Sequence, residues 1–432
     1  MRLRSETGSP SAVASRVHFD CDNGPRIGIL VVCLPVIEGT QRPEHHVSQR
    51  RSRSHMPNVY SLRAWPSAHN RADRAPCFRG VIMSRQSSYV IAIFVVIVSV
   101  VGSAAEVSGQ ALPNPYRLVE DWTQLPGNRQ MGRVGGVTMD PDGQHVWAVI
   151  RCDSSAPERF GNECLDSDLD PVVKFGPDGH VVDSFGGGMF IWPHGIDVDQ
   201  DGNVWVTDAV SESRTPEGSR GHQVIKFSPA GTVLMTLGTP GKPGVGRNSF
   251  NAPSDVVVAD NGDIFVADGH GDDTNNRVVK FSADGTYIKE WGKTGYAPGE
   301  FRTLHAIALD SEGRVFVGDR SNNRIQIFDQ EGEFLAQWTQ FGRPSGIFFD
   351  GHDRIYVADS ESDDVQNPGW EMGIRIGDVR TGWVEEFILY QWGDPRSVAG
   401  NGAEFVAVDR EGNIYGGEPR PRKLQKYVRV RP

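Results

Sequence analysis

The stretch PHGIDVDQDGNVWVTD, residues 193–208, carries the pattern that decides the fold. Apolar and polar residues alternate up to Val198, a polar turn ending in glycine follows, and a second alternating run ends on Asp208. Period-two alternation on both sides of an Asp-Gly type turn signals a β-hairpin, because the turn needs positive φ, which glycine adopts at little cost. The same pattern returns as GVTMDPDGQHVWAVI from Gly136, DVVVADNGDIFVAD from Asp255, AIALDSEGRVFVGD from Ala306, GIFFDGHDRIYVAD from Gly346 and FVAVDREGNIYGGE from Phe405. Starts fall about 40–60 residues apart, the range of propeller repeats. Each unit runs on into a second hairpin, as in RVVKFSADGTYIKEWG from Arg277 and RIQIFDQEGEFLAQW from Arg324. Two hairpins make a four-stranded sheet, and six such sheets predict an all-β, six-bladed β-propeller.

The chain ends give an independent expectation. The last repeat finishes at KLQKYVRV, residues 423–430, with no fourth strand behind it, whereas YRLVEDW at 116–122 is a lone strand similar to the outer strands of other units. The N-terminal strand is therefore expected to complete the last blade, closing the ring and covering its edge. The propeller then occupies 112–432.

The front of the chain reads differently. Residues 1–82 are arginine-rich without lysine, hold three of the five cysteines and show no sustained period, as expected of a disordered or spurious extension. Residues 83–111 have a short basic start, an apolar run from Tyr89 to Val101 and small residues near Ala105 and Ala111, the form of a secretory signal. The run falls short of the roughly 20 residues of a spanning helix, so no stable membrane span is expected after its removal. The whole chain carries a net charge of −11, and losing this basic front leaves a still more acidic domain. An acidic surface repels phosphate backbones, which argues against a nucleic-acid partner. Export, to the periplasm or outside the cell, implies an oxidising compartment. The two cysteines left, Cys152 and Cys164, are expected to form a disulfide, although a buried unbonded pair would have the same spacing.

Chemistry in a propeller gathers where the innermost strands enter the central channel, so equivalent positions of the repeats surround one mouth. Placed in phase with His194 are Gly135, Ser254, His305, Ser345 and, in blade six, Ala403. Histidine stands in blades two and four, and alternate blades of a six-fold ring lie about 120° apart. Two imidazoles so placed suit Zn2+ or a similar borderline ion. Ala403 cannot coordinate, but Glu404 follows it. A histidine before a strand also serves as a hydrogen-bonding turn residue, and the spacing leaves both readings open. Asp208, Asp268, Asp319 and Asp359 end the second strands and are expected to be structural. One position later come Arg151 and Arg320, in blades that face each other across the channel. They could clasp a carboxylate or form rim salt bridges. His270, in ADGHGDDTNNR, lies beside this phase as a candidate acid, base or extra ligand, or as an ordinary loop residue. Phosphate-binding loops, Gly-x-Ser-x-Gly elbows and Cys-x-x-Cys pairs are missing from the sequence.

On these motifs the repeats resemble the NHL type of propeller. PHGIDVDQDGNVWVTD, PSDVVVADNGDIFVADG and GEFRTLHAIALDSEGRVFVGDRSNNRIQIF resemble the peptidyl-α-hydroxyglycine α-amidating lyases, also called peptidylamidoglycolate lyases, with similarity over most of 114–430. The resemblance implies that His194 and His305 are zinc ligands and that Arg151 and Arg320 serve catalysis or hold the glyoxylate carboxylate. It also implies that the carbonyls of Val137 and Ile196 bind a structural Ca2+. The implied reaction splits an N-acyl- or peptidyl-α-hydroxyglycine into an amide and glyoxylate. The chain departs from the family in two places. The family's catalytic tyrosine falls at His270, and its third zinc histidine and following calcium aspartate fall at Ala403 and Glu404, which leaves Glu404 to serve calcium or to swing to zinc. A monomer acting on a small-molecule or peptide carboxylate is expected. The alternatives are a non-catalytic NHL propeller that binds a small anion, peptide or protein, and a metal-dependent hydrolase of lactonase type.

Overall fold

The computed structural model describes residues 111–152, 161–216, 220–390 and 402–430. The expected extension over 1–82 and the signal segment over 83–111, save its last residue, lie outside these. Six four-stranded antiparallel sheets form the ring. Five are made of consecutive strands; the sixth runs from the inner strand Phe405–Val408 through Ile414–Glu418 and Lys423–Arg429 to the N-terminal strand Tyr116–Val119. Tyr116 pairs with Arg429 and Val119 with Lys426, so the strand that opens the described chain closes the last blade. Among the described residues no helix is long and apolar enough to cross a membrane.

The inner strands of blades one to five are Arg133–Met139, Pro193–Val198, Pro253–Val258, Leu304–Leu309 and Pro344–Phe349. Each neighbours the next, and the sixth returns to the first. Aromatic side chains fill the wedges between blades: Trp147, Phe185 and Phe227 between one and two, Trp205, Phe250 and Phe281 between two and three, and Trp122, Phe175 and Tyr415 between six and one. Each such ring, fully buried, contributes roughly 1.5–3 kcal/mol.

The repeated aspartates hold the backbone that this packing brings together. Asp199 accepts the amides of Asp201 and Asn203 through Oδ1 and the Trp205 indole through Oδ2, so one carboxylate ties the hairpin turn to the interblade core. Gly202 closes that turn at φ 80°, where a side chain would be strained. The second series anchors the mouth. Asp208 accepts the amides of Ile191 and Trp192, Asp268 that of Asn251, Asp319 that of Arg302 and Asp359 that of Arg343. Burial pushes the Asp208 and Asp268 carboxyls up to about 6. These groups fix the segments that lead into the inner strands, which agrees with their expected structural role. Cys152 and Cys164 are joined in a disulfide with Cα atoms 5.4 Å apart, just past the second strand of blade one.

Candidate metal centre

His194 is the second residue of its inner strand and His305 the second of the strand two blades on, so both rings enter the channel at the same height. In each case Nδ1–H donates to a carbonyl of the next blade, that of Ser254 at 2.7 Å and of Ser345 at 2.6 Å. That bond fixes the tautomer and turns the Nε2 lone pair inward. Both rings are fully buried, and among the described residues both Nε2 atoms lack a hydrogen-bond partner. Burial holds both well below the usual histidine range, with help from His270 for the first and Arg320 for the second, so the rings are neutral near pH 7.

Blade six corrects the sequence reading. Asp268 pairs with Pro253 and Ala267 with Asp255, whereas in blade six Gly417 pairs with Phe405 and Gly416 with Val406. A Cβ added to Gly195 would meet Asp255 and the Ser254 carbonyl; one added to Gly346 would meet Phe405 and the Glu404 carbonyl. Glu404 therefore matches Ser254 and His194, and Ala403 lies one place earlier, on the position of Pro193. The third place in the alternate-blade set is thus filled by a carboxylate. Glu404 Oε1 lies 3.4 Å from His305 Nε2 and 3.9 Å from His194 Nε2.

His270 joins them from the loop after Ile264–Asp268. Its ring centroid is 4.6 Å from that of His194 and 4.9 Å from that of His305, and its Nε2 also lacks a hydrogen-bond partner among the described residues. One ligand atom from each of His194, His270, His305 and Glu404 lies within 4.8 Å of all the others. A tetrahedral ion with bonds near 2.1 Å separates its ligands by about 3.4 Å, so the widest pairs among these three nitrogens and one oxygen need to close by up to about 1.4 Å. Buried lone pairs without partners and an N3O donor set fit Zn2+ or a related borderline ion.

Calcium fits poorly. With Glu404 in the third-ligand place, the position that follows is Phe405, whose ring packs on His194 and His305 at 5.5 and 5.7 Å and offers no oxygen. Val137 and Ile196 occupy equivalent places in adjacent inner strands, opposite Ala148 and Val206. Val137 and Ile196 supply two carbonyls of the six to eight oxygens Ca2+ takes, and Glu404 Oε2 is bonded to Arg151.

The arginines divide their tasks. Arg151, 1% exposed, donates from Nη2 to Glu404 Oε2 at 2.9 Å and from Nε to the Pro193 carbonyl at 3.2 Å. Its guanidinium lies 4.5 Å over the Trp192 ring. Burial alone would raise the Glu404 carboxyl; Arg151 is the strongest of the charges that instead hold it down at about 2. Arg320 begins the 3-10 turn Arg320–Asn322 across the channel and is also buried, with Nη1 3.4 Å from Glu361 Oε1. Arg343 shares that carboxylate at 3.2 Å and donates to the Arg320 carbonyl. Trp192, Arg343, Glu361 and Phe405 were not singled out from the sequence. Only Trp192, two residues before His194, carried a local signal.

A ring of six sheets with a cluster of histidines and one acid at its channel mouth defines the class, a six-bladed β-propeller with a candidate metal centre. Residues 247–339 match a family described as 6-bladed beta-propeller, and residues 190–214 match the NHL repeat. The six blades of the ring agree with the first match, and the second places an NHL repeat at blade two. The chain is 34% identical over 218 residues to peptidyl-glycine alpha-amidating monooxygenase A of Xenopus laevis, covering 46% of this chain and 22% of that protein. It is 32% identical over 192 residues to a probable peptidyl-alpha-hydroxyglycine alpha-amidating lyase of Caenorhabditis elegans, covering 42% and 51%. It is also 42% identical over 130 residues to human NHL repeat-containing protein 3, covering 29% and 35%. The matched stretches thus span about half or less of these relatives.

Proposed function

We propose that the protein is an exported, zinc-dependent lyase that splits an N-acyl- or peptidyl-α-hydroxyglycine into an amide and glyoxylate. The observation that carries this reading is the set of unpartnered imidazole nitrogens gathered with Glu404 beside buried Arg320, in a chain whose relatives include named lyases. The Cys152–Cys164 bridge supports an oxidising compartment.

In this reaction the hydroxyl O–H bond breaks, a carbonyl forms on carbon, and the C–N bond breaks with its electron pair leaving on nitrogen. Nitrogen then takes up a proton, so the net proton transfer runs from oxygen to nitrogen and neither water nor an oxidant is consumed. A bound divalent ion supplies positive charge that lowers the cost of ionising a hydroxyl next to it. His194, His305 and Glu404 would hold that ion, their orientations set by the Ser254 and Ser345 carbonyls and by Arg151. Because Arg151 is occupied by Glu404, Arg320 is the arginine left to bind the substrate carboxylate. Held by charge at one end, the substrate presents its scissile bond in one orientation.

The test is zinc content and glyoxylate release from α-hydroxyhippurate, measured on the purified protein with and without chelator. Release that chelator abolishes and Zn2+ restores, and that His194→Ala and His305→Ala lose together with the metal, is the expected result. Metal retained without glyoxylate would leave a binding propeller, and lactone turnover in its place would mark a hydrolase.

A further inference from the structure

We propose that His270 is a metal ligand, completing an N3O set with His194, His305 and Glu404, and is not a residue that carries protons. The inference rests on the metal-centre part of the proposed function but not on the lyase reaction. It assigns to His270 a task different from that of the tyrosine which the family resemblance puts at this place.

Three observations point the same way. One ring nitrogen of His270 lies in the same cluster as those of His194 and His305, and among the described residues its buried Nε2, like theirs, has no hydrogen-bond partner. A residue placed to pass protons would be expected to show a partner or relay group at that atom; a ligand would not, since its lone pair is reserved. Second, the ring is held in position. Its backbone amide donates to the Ala252 carbonyl at 3.0 Å, Asn276 Nδ2 pins the next residue's carbonyl at 2.8 Å, and the Trp192 ring meets it edge-on at 4.9 Å. Third, the acid in the third place offers only one oxygen. Arg151 occupies Glu404 Oε2, which leaves Oε1 as a single-atom donor. Two histidines and a single-atom carboxylate are three ligands, and His270, the remaining ring of the cluster, is the fourth, so that a substrate hydroxyl would join as a fifth.

The chemistry selects a borderline divalent ion such as Zn2+ or Co2+, since three imidazoles and one carboxylate suit neither a hard oxygen-seeking cation nor a thiophilic one. The experiment uses ion-free protein prepared with chelator, with Zn2+ affinity read by competition against a chromophoric chelator and Co2+ binding read by visible absorption. Wild type is compared with His270→Ala, with His270→Tyr and, as a reference for a lost ligand, with His194→Ala. Thermal melts of the ion-free variants confirm folding. Both His270 variants are expected to weaken Zn2+ binding by at least 10–100-fold, the loss typical of removing even an outer partner of a metal site, and to change the Co2+ spectrum. Cu2+ electron paramagnetic resonance should show three nitrogen donors in wild type and two in His270→Ala. Wild-type Zn2+ affinity with an unchanged Co2+ spectrum in both His270 variants would overturn the proposal. A parallel glyoxylate assay separates the two readings: tight four-ligand binding without glyoxylate removes the lyase reaction and leaves His270 as a ligand.

Discussion

Replacing Arg151 by methionine in the ion-free protein should uncover how much of the site's order depends on one ion pair. Arg151 and Glu404 meet at 2.9 Å with side chains 1% and 9% exposed, so the substitution leaves a buried carboxylate without its main counter-charge. Breaking one side of such a pair costs about 3–5 kcal/mol. The carboxyl's own shift, from an ordinary 4.5 down to about 2 with Arg151 the largest of several charges that outweigh burial, is of the same order, roughly 3 kcal/mol at 1.36 kcal/mol per unit. An acid held down in the folded state contributes stability above its unfolded value, near 4.5, and loses it as pH falls toward 2. Residues 111–430 number roughly 320, so the entropy of unfolding is on the order of 0.7 kcal/mol per kelvin and 3 kcal/mol corresponds to about 4–5 °C. Differential scanning fluorimetry of ion-free Arg151→Met should therefore show a Tm about 5 °C below wild type at pH 7, with the gap narrowing between pH 4.5 and 2. A gap below about 1 °C, or one that does not change with pH, would refute the electrostatic account. Added Zn2+ should shrink the gap, because the ion replaces the lost positive charge.

Three further outcomes follow from the same contacts. His222 is fully buried, accepts the Ala252 amide at Nδ1 and is pushed down to about 4 by burial, so the unfolded chain protonates first. Stability should fall as pH drops from about 6.5 to 4, by up to ~3 kcal/mol, and denaturant melts of His222→Leu should show a shallower slope across that window. The Cys152–Cys164 link spans 12 residues, and a loop of that size is worth about 3 kcal/mol in the chain-entropy view; Cys152→Ser/Cys164→Ser should melt lower, and a reductant should lower the wild type to match. Deleting 111–122 removes the strand that covers Lys423–Arg429 and the ring of Trp122 from the core. Light scattering should then show association through the bared edge, and a monomeric truncation with an unchanged melt would contradict the closure argument.

The ring was legible because its cause is repeated. Six copies of an Asp-anchored hairpin state the strand count, the turn and the interblade aromatics, and the lone strand Tyr116–Val119 has one place to pair. His194 and His305 stood out for the opposite reason, since they depart from a position the other blades fill differently. The misplacement of Ala403 is one that the repeats themselves correct. The repeat that starts at Phe405 corresponds to the one that starts at Gly195, so the residue in phase with His194 is the one before Phe405, Glu404 and not Ala403. The pairing of Phe405 with Gly417 fixes the same register. The Arg151–Glu404 bond joins residues 253 apart and involves a rotamer choice, which no repeat pattern encodes.

That bond also accounts for how a carboxylate can stand where the resemblance puts a histidine. Exchanging a neutral imidazole for Glu404 adds one negative charge to a closed, poorly solvated pocket and would weaken its hold on an anionic substrate. Arg151 cancels that charge at hydrogen-bonding distance, and its stack on Trp192 keeps it from turning toward the channel. The pocket so balanced still presents Arg320, partly countered by Glu361, with Arg343 drawing the same carboxylate away from it. An arriving carboxylate therefore competes with one side chain that already has a second arginine to go to. Glu361→Gln should bind hippurate, which carries the carboxylate but not the hydroxyl, several-fold more tightly by calorimetry. An unchanged or weaker affinity would show that Glu361 orients Arg320 for the ligand and does not compete with it.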